Sequence, residues 1–168
     1  DALQQLFARP VAIGIPLHEI RQAHAEAKNE LFQQVRWLTG IQLDTSIFTL
    51  GFARRATAYK RADLLFANVE RLKHLARSVG PLQLIYAGKA HPRDEGGKAI
   101  IRRIFEAASA LANDVRVVYL ENYDMALGKV ICSGVDVWLN TPLRPQEASG
   151  TSGMKAALNG VPSFSVLD

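Results

Sequence analysis

Two stretches concentrate the residue types from which phosphate chemistry is built. In Gly51-Phe-Ala-Arg-Arg-Ala-Thr-Ala-Tyr-Lys-Arg61, four cations, Arg54, Arg55, Lys60 and Arg61, fall within eight residues. Two phosphate groups held side by side need such density, because like-charged dianions repel strongly where water is excluded. Arginine supplies bidentate donors and lysine a compact charge. A solvated basic turn has the same composition, so density alone leaves both readings open. The second stretch, Glu147-Ala-Ser-Gly-Thr-Ser-Gly-Met-Lys155, follows a proline-rich connection, Thr141-Pro-Leu-Arg-Pro145. It runs into Met154-Lys-Ala-Ala-Leu-Asn-Gly160, which predicts a short helix closed by Gly160, with Lys155 in its first turn. Gly150, Thr151, Ser152 and Gly153 leave backbone N–H groups unshielded, and a helix start favours an anion. The pattern suits a phosphate beside an amine, although the same small residues are ordinary helix starters and a lone lysine is ordinarily solvated.

The elements that would position these stretches read as alternating strands and helices. Ser46–Phe52, Leu82–Ala87, Val115–Leu120, Val135–Leu139 and Ser163–Leu167 are short apolar runs that predict strands. Helical spacing is carried by Leu17 to Leu38, by Arg61 to Val79, by a segment starting near Gly96-Gly97, and by Tyr123 to Cys132. Apolar strands alternating with helices predict βαβ units and a parallel sheet covered on both faces. Ligands of such sheets collect at the carboxyl ends of the strands, and both stretches fall there, as do Gly88-Lys-Ala-His-Pro92 and Glu121-Asn-Tyr123. Neither a dinucleotide fingerprint nor a P-loop follows any strand.

The chain of 168 residues, 48% of them apolar, is one domain in size. It lacks an apolar run of about 18 residues, so no membrane span is expected. It lacks a secretory signal pattern too, and the missing initiator Met suggests a piece of something longer. The single cysteine, Cys132, lies between apolar residues and reads as a buried, inert thiol in a reducing compartment. The net charge of +4 is spread along helices among acids rather than packed with aromatics, which argues against nucleic acid. His18, His24 and His74 read as surface residues without metal-ligand spacing, and Trp37 and Trp138 as core. His91 is not expected to be a catalyst.

The wording of the second stretch is more specific than its spacing. Glu147-Ala-Ser-Gly-Thr-Ser-Gly-Met-Lys155, followed by Ala-Ala-Leu-Asn-Gly160, closely resembles the pyridoxal-phosphate lysine segment of the α-glucan (glycogen, starch and maltodextrin) phosphorylases. Gly51–Arg61 and Glu121-Asn-Tyr123 resemble two further motifs of that family, in the same order, so the resemblance spans about Leu43 to Asp168. It implies that Lys155 binds pyridoxal 5′-phosphate as a Schiff base, with the cofactor phosphate as acid/base partner of the substrate phosphate. Arg54 and Thr151, with the N–H groups around Gly150, would hold the cofactor phosphate, and Tyr123 would line the cofactor site. Arg55 and Lys60 would serve the substrate phosphate, while Glu147, Ser149 and Gly150 would hold hydroxyls of the transferred glucose. No metal is implied.

The implied reaction is phosphorolysis of the terminal α-1,4-linked glucose to glucose 1-phosphate by a cytoplasmic, homo-oligomeric parent. The implied fold is a partial doubly wound, Rossmann-like sheet, the C-terminal half of a two-domain glycosyltransferase of GT-B type. Residues 1–42 would form an irregular lead-in and a long helix, and residues 43–168 the cofactor domain, incomplete at its C-terminus. Without the family's N-terminal domain the isolated chain is expected to be inactive. Ser152-Gly153 departs from a Gly-Asn pair of the animal and plant enzymes, and Thr57-Ala58 from a more polar pair. A glucosyltransferase using sugar nucleotides is the alternative, with a diphosphate in place of the two phosphates.

Overall fold

The computed structural model describes residues 14–147 and 149–166. The expected lead-in up to residue 13 lies outside them, as does the end of the fifth expected strand. The sheet has five strands: β1 (Phe48–Ala53), β2 (Leu82–Ala87), β3 (Arg116–Leu120), β4 (Val137–Asn140) and β5 (Ser163–Ser165). Their order is β3-β2-β1-β4-β5, and every recorded pairing is parallel. This is the doubly wound arrangement expected of the sequence, with its topological switch between β1 and β4.

Both faces of β1 to β4 are covered because apolar residues of these strands fall on both faces, whereas β5, Ser-Phe-Ser, is exposed along its length, contrary to the sheet covered throughout that the sequence predicts. Ala53, Ile85, Ala87, Val118 and Leu120 pack under α1 (Leu17–Thr39), α4 (Met125–Gly134) and α5 (Thr151–Leu158), through Leu31, Val35, Ile131 and Ala156. Phe52, Leu84, Tyr86 and Leu139 pack under α2 (Val69–Ser78) and α3 (Glu95–Leu111), through Leu72, Ile100, Ile104 and Leu111. The strands therefore place neighbouring residues on opposite faces, as a pleat requires.

The helix expected over Arg61–Val79 is shorter than its apolar spacing suggests. Arg61 adopts a left-handed conformation (φ 46°), two short 3-10 turns occupy Ala58–Lys60 and Leu64–Phe66, and α2 starts only after Asn68. The Asn68 side chain accepts from Arg71 N at 2.9 Å and sets that start. Asp94 and Asp124 cap α3 and α4 in the same way, accepting from Gly97 N and Leu127 N at 2.8 Å each. α5 begins instead at a glycine, Gly150, which has no side chain to cap it.

α1 is pinned at the amino-terminal edge of the sheet by Asp136. One carboxylate oxygen accepts from Lys28 Nζ and Thr49 N at 2.7 Å each, and the other lies 2.8 Å from His24 Nε2. His24 is thus half-buried against an acid rather than solvent-facing as expected. Trp37 is 80% exposed, contrary to the core position expected, whereas Trp138 is fully buried. Trp37 falls off the buried stripe of Leu31 and Val35, so helical spacing near it misleads. At the other crossing, Gly134 meets α1 closely: a Cβ there would lie 2.7 Å from both Ala27 O and Leu31 Cβ.

Candidate active site

The loop after β1 and the connection after β4 are joined by backbone and side-chain hydrogen bonds. Arg61 donates from Nε to Thr141 O and from Nη2 to Pro142 O at 2.9 Å each. Thr141 Oγ1 donates to the Lys60 and Arg61 carbonyls, and Leu143 N to Tyr59 O at 2.6 Å. Arg61, the fourth cation of the cluster, is therefore a strut between the two motifs. The loop after β2 closes the third side: Ala56 N donates to Lys89 O, and Gly88 approaches so closely that a Cβ would lie 2.0 Å from Arg54 O. Gly88 also has φ 148°, a conformation that favours glycine.

The stitched loops bring three of the expected site residues into one buried cluster. Glu147 Oε2 accepts from Arg54 Nη2 and Lys60 Nζ at 2.7 Å each. Arg54 Nη1 also donates to Asn140 Oδ1, and Asn140 Nδ2 donates to Ser165 Oγ at 2.9 Å. Arg54 and Lys60 are 7% and 9% exposed, so two desolvated cations share one carboxylate and one neutral amide. Burial raises the Glu147 carboxyl pKa, but the Lys60 hydrogen bond and the nearby Arg54 and Lys60 charges outweigh it and hold it below the usual range. Glu147 Oε1 accepts no hydrogen bond among the described residues.

Arg55, next in sequence to Arg54, is exposed, because successive residues leaving a strand point to opposite sides. Its guanidinium has no hydrogen bond or ion pair among the described residues, and it stays free beside the Arg54 cluster.

A second group gathers where α5 lies against α4. Ser152 and Lys155 of α5 and Asn159 at its end line, with Tyr123, Met125, Gly128, Lys129 and Cys132, a cavity of about 510 Å3. Burial pushes the Tyr123 phenol up, with Cys132 and Asp124 adding to it, so it remains a neutral hydroxyl. Burial also pushes the Cys132 thiol up, against the opposing field of Lys155, which agrees with an inert thiol.

The structure corrects the expected place of Lys155. α5 starts at Thr151, so the lysine is its fifth residue, in the last turn rather than the first. The helix thus runs through Gly153, since one glycine costs a helix only about 1 kcal/mol. Gly150 and Thr151 do stand at the helix start, with Ser149 just before them, its carbonyl accepting from Thr151 N at 2.9 Å.

Asn140 is the site residue that sequence reasoning missed. A lone asparagine at a strand end carries no motif, and only its burial on Arg54 reveals it. His91 accepts from Arg93 N at 3.1 Å and shapes its own turn. No group of acids, histidines or cysteines at metal spacing occurs among the described residues, and no helix there is long and apolar enough to cross a membrane.

Comparison with known proteins agrees with these motifs. The sequence model of the carbohydrate phosphorylase family matches residues 14–168. A glycogen phosphorylase of Aquifex aeolicus is 45% identical over 172 residues, covering 92% of this chain and 25% of that protein. A maltodextrin phosphorylase of Thermococcus litoralis is 42% identical, covering 92% of this chain and 20% of that protein. A glycogen phosphorylase of Mycobacterium tuberculosis is 41% identical, with coverages of 90% and 20%. The chain thus spans a quarter or less of the length of these relatives. With the family matched over nearly its whole length, and with the motifs converging on one edge of a doubly wound sheet, the chain belongs to the carbohydrate phosphorylase family.

Proposed function

We propose that this chain is the pyridoxal-phosphate-binding region of an α-glucan phosphorylase, a part of the C-terminal half of a two-domain glycosyltransferase of GT-B type. In the full-length polypeptide it would use inorganic phosphate to release glucose 1-phosphate from the terminal α-1,4-linked glucose. The N-terminal domain of the same polypeptide would supply the glucan groove. The resemblance further implies a cytoplasmic, homo-oligomeric enzyme.

The observation that carries this reading is that the segment leading into α5 brings two features together: Glu147 holds two buried cations, and Lys155 lines a cavity. The donor set fits pyridoxal phosphate. The buried Ser152 hydroxyl lacks a partner among the described residues, and it lines the cavity that holds Lys155 and Tyr123. Thr151 and Lys155 are four residues apart on α5, a rise of about 6 Å, which suits an elongated ligand with an anion at one end and an amine-reactive carbonyl at the other. When bound, the cofactor supplies a phosphate that exchanges a proton with the substrate phosphate.

The chain's own residues then divide the remaining tasks. Lys155 anchors the ring, Tyr123 lines its cavity, and Gly150, Thr151 and Arg54 hold the cofactor phosphate. Arg55, exposed and free of a protein counterion among the described residues, meets the substrate phosphate, with Lys60 beside it. Glu147 keeps both buried cations on Oε2 and offers Oε1 to glucose hydroxyls, which Ser149 and Gly150 also bind. A positive rim lowers the repulsion between two phosphates, which is electrostatic stabilisation by fixed charges.

Reductive trapping tests the assignment. The protein is incubated with pyridoxal phosphate, reduced with borohydride and mapped by peptide. Label at Lys155 supports a phosphorylase; no label together with tight nucleotide-sugar binding supports the sugar-nucleotide glucosyltransferase.

A further inference from the structure

Three serine and threonine hydroxyls inside the helices satisfy themselves locally. Thr39 donates to Val35 O at 2.7 Å, Ser78 to His74 O at 2.8 Å and Ser133 to Lys129 O at 3.1 Å, each to the carbonyl four residues before it. Ser152, the second residue of α5, makes no such bond among the described residues. Its Oγ is buried and has no hydrogen-bond partner among the described residues. Buried hydroxyls without partners are uncommon, because leaving one unpaired forfeits its hydration.

The position of that hydroxyl points outward from the fold's own needs. Ser152 and Lys155 are three residues apart on one helix, a spacing that puts both on one face. Both line the cavity shared with Tyr123, Gly128 and Cys132. Ser152 lies in the turn where N–H groups lack intrahelical acceptors and the helix field favours an anion, while Lys155 lies one turn further along.

We propose that Ser152 is a binding residue in its own right, whose hydroxyl donates a hydrogen bond to the phosphate of the cofactor carried by Lys155. This rests on the reading of Lys155 as the cofactor lysine. It assigns to a side chain what backbone N–H groups alone would otherwise do at the start of α5.

The experiment compares the full-length polypeptide with its Ser152→Ala variant, each freed of cofactor and titrated with pyridoxal phosphate and with pyridoxal, which lacks the phosphate. The variant is expected to bind pyridoxal phosphate about tenfold more weakly, about 1.4 kcal/mol, and pyridoxal as well as the unaltered protein does. The melting temperature of the ligand-free variant should stay level or rise, since the substitution removes an unpaired buried hydroxyl. Equal weakening for both ligands, no weakening for either, or a lower ligand-free melting temperature would overturn the proposal. If the unaltered protein binds pyridoxal phosphate but not at Lys155, or not at all, the reading of the lysine fails and this inference fails with it. Binding at Lys155 that is indifferent to Ser152 overturns this inference alone.

Discussion

Glu147→Gln removes one charge and little volume from the most tightly coupled part of the site. The two nitrogens it holds each lie 2.7 Å from the same oxygen, so they are at most twice that distance apart. At an effective dielectric of about 20, two unit charges at about 5 Å repel by about 3 kcal/mol. Removing one member of a buried pair costs about 3–5 kcal/mol for the same reason, an uncompensated charge. A loss of about 3 kcal/mol in a chain of this size lowers Tm by roughly 6–12 °C. Inorganic phosphate can replace the missing anion, so its addition should recover much of the loss in the variant and raise Tm far less in the unaltered protein. The pH dependence has a fixed sign. Because the folded Glu147 carboxyl sits below its ordinary pKa, its contribution is complete above about pH 5 and is lost as the pH falls through the folded value. The variant should lack that step. Thermal melts with and without phosphate, at neutral and acidic pH, measure all of this. A ligand-free Tm within about 2 °C of the unaltered protein, or equal phosphate shifts in both, would refute the reasoning about shared charge.

Two further outcomes test the frame that holds the site. Asp136→Ala strands Lys28, a buried cation, and should lower stability by about 3 kcal/mol in a chemical denaturation experiment, with the loss greatest above pH 5, where the depressed Asp136 carboxyl is fully ionised in both folded and unfolded states. Gly134→Ala forces a Cβ to within 2.7 Å of Ala27 O, a backbone atom that cannot swing aside, and should cost about 1–3 kcal/mol by the same measurement.

β1, β2 and β3 were legible in the sequence because apolar residues on both of their faces are buried, which leaves short, largely apolar runs. Phe48–Ala53, Leu82–Ala87 and Arg116–Leu120 all lie within about two residues of where those runs place them. The start of α2 was not, because Leu64 and Leu65 continue the helical spacing through two 3-10 turns; Asn68, a strong capping residue, was the available signal. Nor does local sequence reveal that His24 meets Asp136, 112 residues away, since long-range ion pairs leave no periodic trace. At the site, residue types sufficed to find Arg54, Lys60 and Glu147 as candidates. Their division of labour was not legible: Arg54 is buried and Arg55 exposed only because of how the chain leaves β1. Lys155 was found by its motif and misplaced by a turn, because glycine and serine at a helix start argue equally for helix and for loop.

Lys155, one turn into α5, is the amine proposed to hold pyridoxal phosphate. The cavity it lines offers a competing amine, Lys129, and the cluster on Glu147 offers another, Lys60. Borohydride reduction followed by peptide mapping distinguishes the three. One pyridoxyl group per chain is expected, at Lys155, and lost in Lys155→Ala; label at Lys129 or Lys60 in its place would contradict the assignment of Lys155.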